Sequence, residues 1–301
     1  MAYSSEKRMN KLKSLLIDGK TIITPIDDRL IFGPEDGLFD ISRTVEQIAQ
    51  GVPNAFLGFR ASLELLRSFN NTIPFIYNLT ASTIMGIHTK KVIVGTVEYA
   101  KIKGATCVAA HVNFTSKFEE NMLHNFAMIA EECDRLELPL LAIAYPRREW
   151  TEGDIRCDGK EVERPEREKG DNNFEFEKKI NPEKYARLVR HCVSSVCELG
   201  ADMVKTYYTG TPESFELVVK SSRGVPVVTA GGPKVDVVES LRNIEGMIKA
   251  GGAGISFGRN VFNQQHIVAY LQAAKSIIFE SKNCSEALQI YDTIVKENVN
   301  N

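Results

Sequence analysis

The sequence has six cysteines but no Cys-x-x-Cys pair: Cys107, Cys133, Cys157, Cys192, Cys197 and Cys284 are scattered. Without that spacing neither a zinc site nor a disulfide framework is indicated, and thiols in apolar or helical surroundings read as reduced structural residues. No apolar run approaches the ~20 residues of a membrane helix, so a membrane span is not expected. The first twenty residues carry charge throughout and lack the apolar stretch of a signal peptide, which makes a cytoplasmic protein the expectation. Neither sign of charge is in excess: 37 Lys and Arg face 39 Asp and Glu, for a formal net charge of −2. Dispersed charge of that kind sets up no field to gather nucleic acid or an anionic membrane, and neither is expected as a partner. Asn78-Leu79-Thr80 matches the glycosylation tripeptide, but with no secretory signal the match carries no weight.

What is present fits an ordinary soluble globular domain. Hydrophobic residues make up 43% and charged residues 25% of 301 residues, enough for a sizeable core, and one α/β barrel takes about 250 residues. A single domain over 1–301 is the simplest reading. Apolar, β-rich runs recur eight times, at 21–27, 55–59, 75–80, 107–114, 139–146, 203–208, 225–231 and 254–259. Most are continuous rather than alternating, as parallel strands covered on both faces should be. Segments with helical period lie between them, clearest at 117–138, 182–200 and 235–251. An open doubly wound sheet would also alternate strand and helix. The polar residues favour a closed (β/α)8 barrel: Asp27, Asn113, Tyr145, Lys205, Thr209, Gly231 and Arg259 fall at the carboxyl ends of different strands, which converge only in a barrel. Two segments stand outside the repeat. A stretch dense in both charge signs, 147–180 with its core at 147–170, reads as an extended loop after strand five, either a solvated loop or a lid. An extra helical extension occupies 284–301, with its amphipathic pattern at 285–297.

Lys205 is the centre of the chemical argument, because ADMVKTYYTG sets a lysine inside an apolar strand. Desolvation disfavours the ammonium, and a neutral amine can attack a ketone to form an imine. The alternative is a lysine whose head reaches the barrel mouth and pairs with a carboxylate. Two glycine loops supply context. VPVVTAGGPK ends in Gly231-Gly232 and GGAGISFGRN ends in Gly258-Arg259, after strands seven and eight, where barrel enzymes commonly hold phosphate. Tyr145, at the end of LLAIAYPRR, is placed to move the protons that imine chemistry needs, and Asp27, at the end of TIITPIDD, to serve the reacting hydroxyl. Each has a plainer alternative, the tyrosine as a packing residue and Asp27 or Asp28 as a turn residue capping the next segment. His111 in AAHVNF reads as a satisfied histidine behind the reacting groups.

With these residues in place the chain resembles the archaeal-type class I aldolases, a family that includes fructose-bisphosphate aldolases and 2-amino-3,7-dideoxy-D-threo-hept-6-ulosonate synthases. VKTYYTG, VVTAGGPK, GRNVF and AYPR carry the resemblance. It implies that Lys205 is the imine lysine, Tyr145 the acid/base and Asp27 the strand-one carboxylate, with Gly231, Gly232, Gly258 and Arg259 as the phosphate site. KKVIVGTVEYAKIKGATCVAAHVN and IAEECDRLELPLLAIAYPR look closer to the heptulosonate synthase branch. That branch joins a ketose-phosphate-derived donor to L-aspartate semialdehyde, and close relatives use dihydroxyacetone phosphate. The chain departs from the family where Asp28-Arg29 replace His-Gly and where Arg148 replaces the Gly after Tyr-Pro-Arg.

The implied activity is that of a Schiff-base aldolase or transaldolase acting on a phosphorylated ketose and an aldehyde, with no metal or organic cofactor. The acceptor pocket is expected from Asp28, Arg29, His111, Asn113 and Arg147, with Asp28 and Arg29 either contacting the acceptor or pairing with one another. A homo-oligomer is also implied, the family tending to large rings and decamers. Two further readings stay open: a fructose-1,6-bisphosphate aldolase, and a barrel that binds sugar phosphates without turnover.

Overall fold

In a computed structural model, which describes residues 5–34, 36–70, 72–147, 156–157, 160–161 and 181–300, eight parallel strands close into a barrel. They are β1 (Thr21–Pro25), β2 (Ala55–Gly58), β3 (Phe75–Asn78), β4 (Cys107–Phe114), β5 (Leu140–Pro146), β6 (Met203–Tyr207), β7 (Val227–Ala230) and β8 (Gly254–Ser256). Each pairs with its neighbours in sequence order, and β1 closes on β8 through Thr21↔Gly254, Ile22↔Ile255 and Ile23↔Ser256. All eight apolar runs are therefore strands of one barrel. Every strand residue is buried except the half-buried Ala230, which is why the runs are continuous: barrel interior and helix ring both exclude water. Several strands end before the apolar runs do, β1 at Pro25 and β7 at Ala230.

The helices between strands form by local rules. In Pro182–Glu198 the side chain of Asn181 accepts from Lys184 N, Pro182 occupies the first turn, and Tyr185, Val189, Cys192, Val193 and Val196 make the buried stripe. Burial of such a side chain contributes about 2 kcal/mol. Glu119–Leu136 and Val237–Lys249 have the same kind of buried stripe. The C-terminal extension is the helix Cys284–Asn300, tied down where Cys284 N donates to Glu245 Oε2 at 3.2 Å and where Tyr291 meets the His266 ring at 6.4 Å.

The helix Glu6–Ser14, capped by Ser5, was not anticipated from sequence. Its Arg8 is buried at the opposite end of the barrel from the mouth, 2.6 Å from Asp202, whose carboxylate also accepts from Leu140 N at 2.8 Å. This clamps the entries of β5 and β6.

Two features shape the mouth. A short antiparallel pair, Thr80–Ala81 with Val92–Ile93, carries residues 82–91 over the rim. The charged insertion expected at 147–180 lies outside the described residues apart from Arg147, 156–157 and 160–161. Among the described residues no helix is long and apolar enough to cross a membrane, and no three His, Cys, Asp or Glu side chains cluster as metal ligands.

Candidate active site

The carboxyl ends of the strands enclose a cavity of about 550 Å³, open to solvent, and Lys205, Tyr145 and Asp27 all line it. Lys205 is the middle residue of β6, registered against Ile143 of β5 and Val228 of β7. Its side chain is only 8% exposed. Among the described residues it forms no ion pair or hydrogen bond, so pairing with a carboxylate does not account for it. Burial lowers its pKa below the usual lysine value; the nearby charges of Asp27 and Asp28 oppose that shift, and Arg147 and Arg259 reinforce it. The result is an amine poised toward the neutral, nucleophilic form.

Asp27 lies just past β1 and makes no side-chain cap to the short helix Asp28–Ile31, which rules out the capping role for it. Its carboxylate instead turns inward and accepts from Asn78 Nδ2 at 2.9 Å. Asn78 is itself fixed by Thr80 N, which donates to its Oδ1 at 3.1 Å. Burial raises the Asp27 carboxyl above its ordinary value, against the pull of Lys205 and Asn78.

Tyr145 is packed and polar at once. Its ring stacks on Tyr207 with centroids 4.2 Å apart, the Arg147 guanidinium lies 5.0 Å from its centroid, and His111 meets it edge-on at 6.2 Å. Arg147 donates to the Tyr207 hydroxyl, so one guanidinium braces both rings. His111 lines the cavity, closer to the reacting groups than the sequence suggested. Its Nδ1 is 3.3 Å from Thr80 Oγ1. Burial, then the charges of Lys91, Arg147 and Lys205, push it well below 6.5, leaving a neutral imidazole at physiological pH.

The two glycine loops face each other across β7 and β8. Asn260 joins them: its Nδ2 donates to Gly231 O at 2.7 Å and Pro233 O at 3.0 Å, and its Oδ1 accepts from Val235 N at 3.0 Å. A Cβ on Gly231 would fall 2.9 Å from that Nδ2, and Gly232 sits at φ +63, so both positions need glycine. Gly231, Gly232, Gly258 and Arg259 all line the cavity. The Arg259 guanidinium lies over the Phe32 ring, 5.0 Å from its centroid.

The acceptor residues divide. Asp28, His111 and Arg147 line the cavity. Arg29 does not: it is exposed and reaches toward Leu38 O at 3.5 Å. Successive helical residues point about 100° apart, so Asp28 facing inward sends Arg29 outward. Nor do the two pair with each other; Asp28 Oδ2 lies 3.7 Å from Arg259 Nε. Asn113 is fully buried and outside the cavity lining, where its Nδ2 donates to Thr89 O at 2.8 Å and holds the 82–91 loop.

That loop brings two residues the sequence reading did not select, His88 and Lys91. Ser82 Oγ organises them, donating to His88 O at 2.9 Å, accepting from Lys91 Nζ at 2.7 Å, and lying 3.3 Å from His88 Nδ1. His88 Nε2 is 3.1 Å from Arg147 NH1, an N–H donor, so that ring nitrogen accepts and the Nδ1 proton faces Ser82. The available sequence signal was a histidine and two lysines in GIHTKK after the third strand. Ser256, on β8, is a further lining residue that went unselected.

Comparison with known proteins agrees with this geometry. The chain is 31% identical over 298 residues to a 2-amino-3,7-dideoxy-D-threo-hept-6-ulosonate synthase of Archaeoglobus fulgidus, covering 98% of this chain and 99% of that protein. It is 30% identical over 247 residues to a 2-amino-4,5-dihydroxy-6-oxo-7-(phosphonooxy)heptanoate synthase of Streptomyces griseus, covering 81% and 79%. Among solved structures, an archaeal fructose-1,6-bisphosphate aldolase with its catalytic lysine covalently bound to the carbinolamine intermediate superposes with a TM-score of 0.73 at 25% identity, over 90% of this chain and 99% of that one. Residues 21–264 match the profile of the DeoC/LacD family aldolase, and the chain belongs to that family.

Proposed function

We propose that this protein is a class I aldolase that joins a phosphorylated ketose donor to an aldehyde carrying its own anionic group, through an imine on Lys205. The observation that carries the reading is the buried Lys205 amine, free of any ion pair among the described residues, in one cavity with Tyr145, Asp27 and the two glycine loops.

The Lys205 amine attacks the donor ketone, and the carbinolamine loses water with proton transfer through the Tyr145 hydroxyl. The iminium then releases a proton from the adjacent carbon to Tyr145, giving the enamine. The enamine carbon attacks the acceptor aldehyde, a new carbon–carbon bond forms, and the resulting alkoxide is protonated by way of the Asp27 carboxyl, which burial raises above its ordinary value. Water returns to release the product and the free amine. Gly231, Gly232, Gly258 and Arg259 hold the donor phosphate. The Streptomyces relative, named for a product that keeps its phosphate, supports a phosphate retained through the reaction.

The acceptor end is read from the opposite wall, where Arg147, Lys91 and His88 face the cavity. Arg147 and Lys91 are cations that suit a carboxylate or phosphate, His88 bracing the arginine, and the likeness to the heptulosonate synthase favours an amino acid semialdehyde over a triose phosphate. The protein is read as cytoplasmic, a setting that suits its free thiols Cys107, Cys133 and Cys192, and as a homo-oligomer whose size light scattering would give.

Borohydride trapping tests the reading. With dihydroxyacetone phosphate, Lys205 should gain a stable adduct visible by peptide mass spectrometry; no adduct with any ketose phosphate would leave a silent sugar-phosphate-binding barrel. A screen pairing trapped donors with aspartate semialdehyde and glyceraldehyde 3-phosphate then separates the synthase from a fructose-bisphosphate aldolase.

A further inference from the structure

Among the described residues six buried side-chain polar atoms lack a hydrogen-bond partner, including Thr21 Oγ1, Thr24 Oγ1, Asn113 Oδ1 and Ser256 Oγ. Of these four, only Ser256 belongs to a residue that lines the cavity. It is 1% exposed, and its register partners are Ile23 on β1 and Ala230 on β7, neither of which offers a side-chain hydrogen bond. A buried hydroxyl left in this state is disfavoured unless something completes it.

Its height in the barrel says what would. Lys205 registers with Val228, and Val228 with Gly254, so Gly254 marks the level of the imine lysine on β8. Ser256 stands two residues above that level, a rise of about 6.6 Å, and ends the strand, with Gly258 two residues further on at the start of the next short helix. Alternate residues of a strand point to the same side, so Ser256 faces the interior as the Gly254 position does. The Ser256 hydroxyl therefore lies between the lysine and the loop that carries Gly258 and Arg259.

We infer that Ser256 is a donor-recognition residue whose hydroxyl hydrogen-bonds the phosphate-bearing end of the ketose. This rests on the proposed aldolase reading and adds a residue to it. Ser256 makes no covalent bond and moves no proton; it fixes the distance between phosphate and imine carbon. A short strand-borne side chain suits that task, because it has few rotamers to lose on binding.

The role has an unusual signature. If the hydroxyl serves only the bound donor, removing it costs the free protein nothing, and stability and binding respond in opposite directions. Ser256→Ala should leave the thermal midpoint of the free protein unchanged or higher, yet weaken dihydroxyacetone phosphate about fivefold to tenfold in a titration of borohydride-trapped adduct. Dihydroxyacetone, which lacks the phosphate, should change by less than about twofold. Ser256→Cys, which keeps the size and offers only a weak donor, should show the same selective loss. An unchanged affinity for the phosphorylated donor, or an equal loss for both ketones, would overturn the assignment. If wild-type protein traps neither ketone on Lys205, the aldolase reading itself falls, and that failure is read independently of either variant.

Discussion

Asp28 Oδ2 lies 3.7 Å from Arg259 Nε, so the guanidinium assigned to the donor phosphate already faces a carboxylate. Both side chains are about a quarter exposed, at 22% and 25%, and a pair of this kind stabilises the fold by at most about 1 kcal/mol. Its larger effect is on the ligand, because a fixed negative charge beside a phosphate site opposes the phosphate. Asp28→Asn is therefore expected to tighten dihydroxyacetone phosphate about threefold to tenfold, with no such gain for dihydroxyacetone. The competing role, in which Asp28 merely orients Arg259, predicts weaker binding, so the sign of the change decides. Arg259→Ala should weaken the phosphorylated donor in either case, and unchanged donor affinity there would mean that the phosphate sits elsewhere.

Lys205→Met should abolish the trapped adduct and turnover while the circular dichroism stays native, since methionine fills a similar volume without an amine. It should also change how stability depends on pH. The folded Lys205 binds its proton less tightly than an unfolded lysine of pKa 10.5, so between its lowered pKa and 10.5 the unfolded chain holds more protons. Wild-type stability thus rises with pH across that window, and below it the penalty is fully present. Urea midpoints should show Lys205→Met more stable than wild type at pH 7, with the gap narrowing as pH approaches 10. Asp27, raised above 3.8, works in the opposite sense: its contribution is present below 3.8 and is lost as pH rises through its folded value. A constant gap from pH 7 to 10 would contradict the burial argument for Lys205.

The Tyr145–Tyr207 stack at 4.2 Å separates a proton carrier from its brace. Tyr145→Phe should lower kcat by about 10²-fold or more, the range for a lost general acid/base. Tyr207→Phe removes only the hydroxyl that Arg147 donates to, and should lower kcat by about tenfold while leaving the pH profile in place. If the two variants prove equally damaging, the division of roles is wrong.

Much of this was legible in sequence for a single reason: parallel strands buried on both faces appear as apolar runs, and a charge inside one is conspicuous. That revealed the eight strands and Lys205. Ser256 escaped because a serine in GISFG is ordinary until barrel closure sets its hydroxyl between Ile23 and Ala230. Arg29 was misplaced because neighbours in sequence diverge once Asp28–Ile31 is helical. The N-terminal helix hid behind its charge, its apolar stripe being little more than Met9, Leu12 and Leu15. His88 was missed because its partner Arg147 is 59 residues away, and only the Thr80–Ala81 hairpin brings them together.

That last pairing supports a test of the acceptor end. His88 Nε2 accepts from Arg147, Ser82 holds the other ring nitrogen, and Lys91 shares the same serine, so His88 and Ser82 brace two cations in one wall. Removing the imidazole leaves Arg147 charged and still bonded to Tyr207 but takes away one contact that fixes its fork, and a guanidinium recognises an anion well only when that fork is held in place. His88→Ala should thus lower kcat/KM for aspartate semialdehyde about tenfold, change that for neutral glyceraldehyde by less than about twofold, and leave adduct formation with the donor at wild-type yield. His88→Gln, which can still accept from Arg147, should recover part of the loss. Equal losses for charged and neutral acceptors would show that the loop only supports the fold, and unchanged values for both would place the acceptor's anionic group against some other part of the mouth.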